Sequence, residues 1–183
     1  MKSSFREWVK KNSKKNIRLK HLDIKLVNFL KHYIKKQKIK SIFVYIPLKS
    51  EVDINPLIKF ARGKRVSIYV PFMEGESFRL VKYRLPLHKK SFGIKEPKFS
   101  KQYRVRDIDL AIVPILGIDF SCKRVGFGKG MYDRFFEKEG KFIKETIFIQ
   151  REIYLSQMPI TQNHDIKGSM VLGLKLKVWE NRV

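Results

Sequence analysis

Apolar residues recur at helical spacing near the start of the chain, at Leu22, Leu26, Val27, Leu30, Tyr33 and Ile34. That period marks one buried face and predicts an amphipathic helix from about Leu22 to Lys36, with a lysine-rich polar face. A shorter helix is expected ahead of it, with a basic break near Asn12–Asn16. The middle of the chain alternates between strand and helix signals. Ser41–Pro47 (SIFVYIP) is a β-branched and aromatic run closed by proline, as a buried strand would be. Asn55–Arg62 reads as a short helix with Gly63 as its C-cap. Val66–Pro71 (VSIYVP) is a second buried strand. Phe78–Arg84 alternates apolar and charged residues, which predicts a half-exposed strand. Phe92–Pro97 reads as a loop, and Asp109–Pro114 as a third buried strand. Gly126–Gly130 leads into a helix over Met131–Lys138, and Thr146–Gln150 (TIFIQ) is a further strand. Strands and helices in alternation predict an α/β layer fold with a largely parallel sheet. No linker or repeat interrupts the pattern, so one domain over 1–183 is expected, with 1–40 a basic helical region packed on it.

Composition narrows the class. A chain of 183 residues with 43% hydrophobic positions is about one domain with one sizeable core. No apolar run approaches the roughly 18–20 residues of a membrane span. The opening MKSSFREWVKK lacks the apolar centre of a signal peptide. The lone Cys122 rules out an internal disulfide and fits a reducing compartment. A soluble, cytoplasmic, monomeric protein is the expectation. The formal net charge is +24, and residues 1–40 hold 14 basic side chains against Glu7 and Asp23. Such a surface attracts nucleotides, nucleic acid or other polyanions. Lysine excess beside abundant Ile, Phe and Asn also marks an AT-rich coding sequence, so a merely solvated basic surface fits equally.

The run Val113–Phe136 (VPILGIDFSCKRVGFGKGMYDRFF) carries the most chemistry. A buried strand ends at Pro114, and a loop leads to Arg124-Val125-Gly126-Phe127-Gly128-Lys129-Gly130 and a helix start. Glycines before a helix let backbone N–H groups approach an anion, and the helix N-terminus favours negative charge. Arg124 and Lys129 add full positive charges. If the helix begins near Lys129, that lysine and Asp133 share a face at i, i+4. The loop is not a P-loop, because Gly130 follows Lys129 where Ser or Thr is required. It is not the dinucleotide fingerprint either, because Met131 stands where its third glycine belongs. A tight glycine-tolerant loop with no ligand is the plain alternative.

The same run resembles the signature of the 5-formyltetrahydrofolate cyclo-ligase family, with its VPGLAFD-like strand end followed by RLGxGxGYYDRxL. Other stretches agree in order. Lys2 and Arg6 match an N-terminal K-x-x-x-R. Ser50-Glu51-Val52-Asp53 matches an acidic turn after the first strand, and Gly93-Ile94-Lys95-Glu96-Pro97 matches G-x-x-E-P. Asn163-His164-Asp165 follows a Met-Pro pair, as the family's N/H-D pair does. Met131 replaces the first tyrosine of the motif, Ile115 replaces a glycine, and Ile166 follows Asp165 where the family often has a second aspartate. The resemblance implies a three-layer α/β/α fold and an ATP- and Mg²⁺-dependent C–N ligase. That enzyme converts 5-formyltetrahydrofolate to 5,10-methenyltetrahydrofolate and releases ADP and phosphate.

It also implies roles by position. Lys2, Arg6, Arg124, Val125, Gly126, Phe127, Gly128, Lys129, Gly130, Met131 and Tyr132 would bind ATP, with Arg124 and Lys129 catalytic. Ile46, Glu51, Phe92 and Tyr132 would bind the folate, and Asp133 and Asp165 would hold Mg²⁺. Plainer roles are available for several of these. Glu51 and Asp53 suit capping of the helix that follows. Asp133 suits a first-turn acid. Lys2 and Arg6 suit surface charges, Phe92 a core position and Asp165 a loop. Phe135 and Phe136 are expected in the core, and Tyr103, Tyr154 and Trp179 as packing residues. The competing function is a basic RNA-binding module using the lysine-rich N-terminal region. Against it, the aromatics fall inside predicted strands and helices and form no exposed stacking platform.

Overall fold

The computed structural model describes residues 1–13, 21–89, 95–97 and 105–179. Its centre is a six-stranded sheet. In chain order the strands are β1 (Ser41–Val44), β2 (Ser67–Glu74), β3 (Ser77–Lys82), β6 (Ile108–Pro114), β9 (Ile143–Ile149) and β11 (Met170–Leu172). Their spatial order is β11-β9-β6-β1-β2-β3. Every neighbouring pair is parallel except the β2–β3 hairpin at one edge. A second sheet orders β12 (Lys175–Trp179), β10 (Glu152–Ser156), β7 (Gly117–Asp119) and β8 (Arg124–Val125). A small ladder joins β4 (Leu87–Lys89) to β5 (Lys95–Pro97).

The central strands are apolar at nearly every position because both faces are covered. Ile42 and Val44 of β1 face one core, shared with Leu26, Leu30 and Ile34 of α2 (Asp23–Lys36) and Leu57, Ile58 and Ala61 of α3 (Asn55–Gly63). Phe43, between them, faces the other core with Phe135 of α4 (Met131–Glu139). This is the expected mixed α/β architecture, helices on both sides of a mostly parallel sheet. The first helix, α1 (Lys2–Ser13), does not lie on that sheet. Its Phe5 and Val9 are fully buried against Leu116, Val125, Tyr154 and Trp179 around the second sheet. Among the described residues no helix is long and apolar enough to cross a membrane.

Several local expectations change. Gly63 is the last helical residue of α3 and not its cap. The left-handed turn falls at Arg65 (φ 56°), and Val66 N–H closes it on the Ala61 carbonyl at 3.0 Å. The second strand does not stop at Pro71. β1 pairs with β2 only as far as Tyr69, so Pro71 stands where that side of the ladder has ended and its missing N–H costs no bond. Lys95–Pro97 is a strand in place of a loop. Glu96 anchors it, buried, with Oε1 accepting Met73 N–H at 3.0 Å. Phe92 and Tyr103 lie outside the described residues.

Candidate functional site

The parallel strands end together at one edge of the sheet. The chain moves from β1 to β2 on one side and returns to β6 on the other, so the direction of winding reverses between β1 and β6. In open α/β sheets such a reversal leaves a crevice beyond the carboxyl ends of the strands. A cavity of about 410 Å³ lies there. Tyr45, Ile46, Leu48 and Glu51 after β1, Pro71 and Met73 of β2, and Phe78 of β3 form one wall. Arg124 and the run Gly126–Asp133 form the other, and Lys2, Arg6, His164 and Asp165 close the top. Because β1 stops at Val44, the outer half of β2 is open to this space.

Each polar group has a fixed mount. Arg124 leaves β8 and is buried, with Nε donating to the Pro114 carbonyl at 3.2 Å. Its Nη1 stands 3.7 Å from Asp133 Oδ1, and its guanidinium lies 4.7 Å from the Tyr132 ring centre. Burial pulls the Arg124 pKa below its ordinary value, opposed by Asp133 and Glu51. Gly126 packs directly on this guanidinium, where a Cβ would collide. Gly130 takes φ 61° and caps α4, its carbonyl accepting the first helical bond from Arg134 N–H at 3.0 Å. Arg134 ties the loop down from outside. Its Nη2 donates to the Lys129 carbonyl at 2.6 Å, and its Nε to the Glu76 carbonyl at 2.9 Å. Lys129 therefore precedes α4 and does not share a helical face with Asp133. Left-handed Gly130 separates them, although both line the cavity.

The first helix folds back over the site. Phe5 and Val9 anchor it, and Lys2 and Arg6, also four apart, face the cavity. Lys2 Nζ reaches both oxygens of Asp165, at 2.7 and 2.6 Å, and Arg6 Nε donates to the Gly126 carbonyl at 2.9 Å. Asp165 Oδ2 also accepts Gln162 N–H at 2.7 Å. Buried Asp119 holds this corner by accepting from Ser121 and Thr161, including Ser121 N–H at 3.0 Å and Thr161 N–H at 3.1 Å.

On the opposite wall, Glu51 Oε2 accepts Leu48 N–H at 2.8 Å. Burial pushes its carboxyl above the usual range, against the pull of Leu48 N–H, Arg124 and Arg151. Asp53 does act at the start of α3, Oδ1 accepting Asn55 N–H at 3.0 Å. The turn is riveted by buried Arg151, which donates to the Ser50 and Glu51 carbonyls and pairs with Asp23.

Of the expected site residues, all but Phe92, which lies outside the described residues, and Val125 line this cavity. Val125 points its side chain into the core with Phe5 and Tyr154 and does not line the cavity. The Tyr132 ring is already packed, stacked on Phe43 at 6.2 Å and edge-on to Phe78 at 5.1 Å. Tyr45, Leu48, Pro71, Met73, Phe78 and His164 are added to the lining. No chemical signal in the sequence marks the apolar members. Only their places just past the ends of strands could have flagged them. Among the described residues no group of three or more His, Cys, Asp or Glu side chains could hold a metal. Asp133 Oδ1 is nevertheless buried without a hydrogen-bond partner, an oxygen whose lone pairs suit a hard cation. Asp165 would have to release Lys2 to join it.

The model of the 5-formyltetrahydrofolate cyclo-ligase family matches residues 5–173. A 5-formyltetrahydrofolate cyclo-ligase of Escherichia coli K12 is 28% identical over 158 residues, covering 76% of this chain and 80% of that protein. One of Haemophilus influenzae is 25% identical over 108 residues, covering 55% of this chain and 58% of the relative's length. The NMR structure of Aquifex aeolicus 5,10-methenyltetrahydrofolate synthetase superimposes with a TM-score of 0.72 at 29% identity, over 94% of this chain and 89% of that one. With the family model spanning most of its length and the signature loop lining the cavity, the chain belongs to the 5-formyltetrahydrofolate cyclo-ligase family.

Proposed function

We propose that the protein converts 5-formyltetrahydrofolate and ATP to 5,10-methenyltetrahydrofolate, ADP and phosphate. The observation that carries this reading is the meeting of four cations, Lys2, Arg6, Arg124 and Lys129, around a glycine loop, with Glu51 on the facing wall of the same cavity. One wall suits a polyphosphate, and the other suits a donor-rich ring edge.

The chemistry follows from the substrate. The N5-formyl group is an amide, so its carbon is a weak electrophile and its oxygen a poor leaving group. The formyl oxygen attacks the γ-phosphorus and ADP leaves, giving an N5-iminium phosphate ester. N10 then attacks that carbon and loses its proton, the carbon–oxygen bond breaks, and phosphate departs with the former formyl oxygen. Lys129 and Arg124 stabilise the charge that develops on the transferring phosphoryl group. Lys2 and Arg6 hold the polyphosphate from above. Glu51 accepts hydrogen bonds from the pterin N–H groups, and Ile46 and Tyr132 pack beside the ring. Holding N10, the formyl oxygen and the γ-phosphate in near-attack geometry supplies on the order of 7–11 kcal/mol of the barrier. Asp133, whose buried Oδ1 accepts no hydrogen bond, is the residue to hold Mg²⁺. A cation there would neutralise charge shared between the β- and γ-phosphates.

The test is direct. Purified protein is mixed with 5-formyltetrahydrofolate, Mg²⁺ and ATP, and the absorbance of the methenyl product is followed. An ATP-dependent rise, lost by at least about 100-fold in Lys129→Ala, is expected. A folded wild type that gives no rise overturns the reading.

A further inference from the structure

Arg151 stands at the turn between β9 and β10, outside the cation-lined cavity, and its side chain is 0% exposed. Each nitrogen of its guanidinium makes at least one hydrogen bond. Nε and Nη2 reach Asp23 Oδ1 and Oδ2 at 2.7 and 2.8 Å. Nη1 donates to the Ser50 carbonyl at 2.8 Å and Nη2 to the Glu51 carbonyl at 2.5 Å. Asp23 Oδ2 also accepts Asp53 N–H at 2.9 Å. One buried ion pair therefore fixes Ser50, Glu51 and Asp53, the stretch from which the Glu51 side chain enters the site. Glu51 and Leu48 form a partition. They line the main cavity on one side and, on the other, a second cavity of about 370 Å³ whose walls include Asp23 and Arg151.

A purely structural role explains this poorly. Burying a charge pair is expensive, and well-packed apolar residues in its place often leave a protein as stable or more so. The pair here also reaches past the core to two carbonyls of a connecting turn. Such carbonyls ordinarily find water, and holding them from below locks the backbone on which a recognition side chain stands.

We infer that Arg151, held by Asp23, is a positioning residue for folate recognition, fixing the backbone from which Glu51 reaches the pterin. The inference rests on the proposed function, since it concerns the wall assigned to the folate. It makes a directional demand. Loss of Arg151 should disturb the folate side of the site and spare the phosphate side, which is built on α1 and the glycine loop.

The experiment compares wild type, Arg151→Lys, Arg151→Met and a core control, Ile108→Val, at the opposite end of β6. KM is measured separately for 5-formyltetrahydrofolate and for ATP, equilibrium binding of 5-formyltetrahydrofolate is measured without turnover, and each protein is unfolded in urea. Arg151→Met should raise the folate KM and Kd about tenfold or more and leave the ATP KM within about twofold, because a displaced Glu51 loses a charge-assisted hydrogen bond. Arg151→Lys keeps the charge beside Asp23 but not the fork, and should fall between. Ile108→Val should lose stability and change neither KM. If Arg151→Met does not fold, Arg151→Lys decides. A folded Arg151→Lys with unchanged folate KM and Kd overturns the inference, as do folate and ATP constants that shift by the same factor. A wild type that binds the folate without turning it over sinks the proposed reaction while leaving the Kd comparison to judge Arg151. A wild type that does not bind the folate overturns both.

Discussion

The two basic helices of the N-terminal region hold matching charges and use them in opposite ways. α1 has Lys2, Arg6, Lys10 and Lys11 with one acid, Glu7, and α2 has Lys25, Lys31, Lys35 and Lys36 with one acid, Asp23. In α1 the working charges are the cations. Phe5 and Val9 bury one stripe, and the adjoining stripe presents half-buried Lys2 and Arg6 to the cavity while Glu7 faces solvent. In α2 the working charge is the acid. Asp23 is buried at the first turn against Arg151, while Lys25, Lys35 and Lys36 are exposed. Net charge therefore says little about where a helix acts. What decides is which charged residue borders the buried stripe, because only there is a charge removed from water and given fixed partners.

The sharpest test of the α2 side is Asp23→Ala. It strands the Arg151 guanidinium in the interior, and breaking a buried pair this way costs about 3–5 kcal/mol. Urea unfolding should show that loss, and adding Arg151→Met should return much of it by removing the unpaired charge. An Asp23→Ala protein as stable as wild type would mean that α2 contributes only apolar burial, and the contrast between the helices would collapse.

Arg6→Ala tests the α1 side, with the opposite signature. Arg6 is half-buried and makes one hydrogen bond to the Gly126 carbonyl. Its removal should change folding stability by no more than about 1 kcal/mol. The ATP KM should rise about tenfold, since hydrogen bonds to a charged group carry about 1.5–3 kcal/mol. A stability loss comparable to that of Asp23→Ala, with an unchanged ATP KM, would make Arg6 a structural residue and erase the distinction.

Edge strand β11, half-buried throughout, escaped the pattern, but β1, β2, β6 and β9 were legible as short apolar runs with clear stops, β3 by its alternation and α2 by its regular apolar period. The second sheet was not. Glu152–Ser156 and Lys175–Trp179 pair in parallel across long separations, and Leu176 and Val178 lie exposed at an edge, so no local period announces them. The glycine-loop wall of the cavity was readable residue by residue because a contiguous motif carries it. The facing wall was readable only at Ile46 and Glu51. Its support comes from Asp23 and Arg151, 128 positions apart, and no local pattern links two such residues before the chain folds. The helix starts at Met131 as its pattern predicted, and the condition for Lys129 and Asp133 to share its face fails for a local reason: left-handed Gly130 keeps the lysine outside it.

The smallest expected effect completes the comparison. Lys25→Gln, Lys35→Gln and Lys36→Gln combined would remove three of the exposed charges of α2 and nothing at the cavity. Lys35 rests its ammonium 5.6 Å from the Phe60 ring centre, an exposed contact of less than about 1 kcal/mol. At 0.15 M salt the screening length is about 8 Å, so charges on the outer face of α2 hardly act on a ligand in the cavity. Stability should stay within about 1 kcal/mol and kcat/KM within about twofold of wild type. Lowering the salt should widen the gap only slightly, through encounter rate. Arg6→Ala should keep its ATP defect at both salts, because its contact is local. Binding of the two variants to a single-stranded RNA over a salt series gives the complementary reading. If the triple variant lost most of its RNA affinity while keeping kcat/KM, the α2 surface would be a second, polyanion-binding face. If it lost tenfold or more in kcat/KM at 0.15 M salt, the lysines of α2 would belong to the site, and burial beside the apolar stripe would no longer be what selects a working charge.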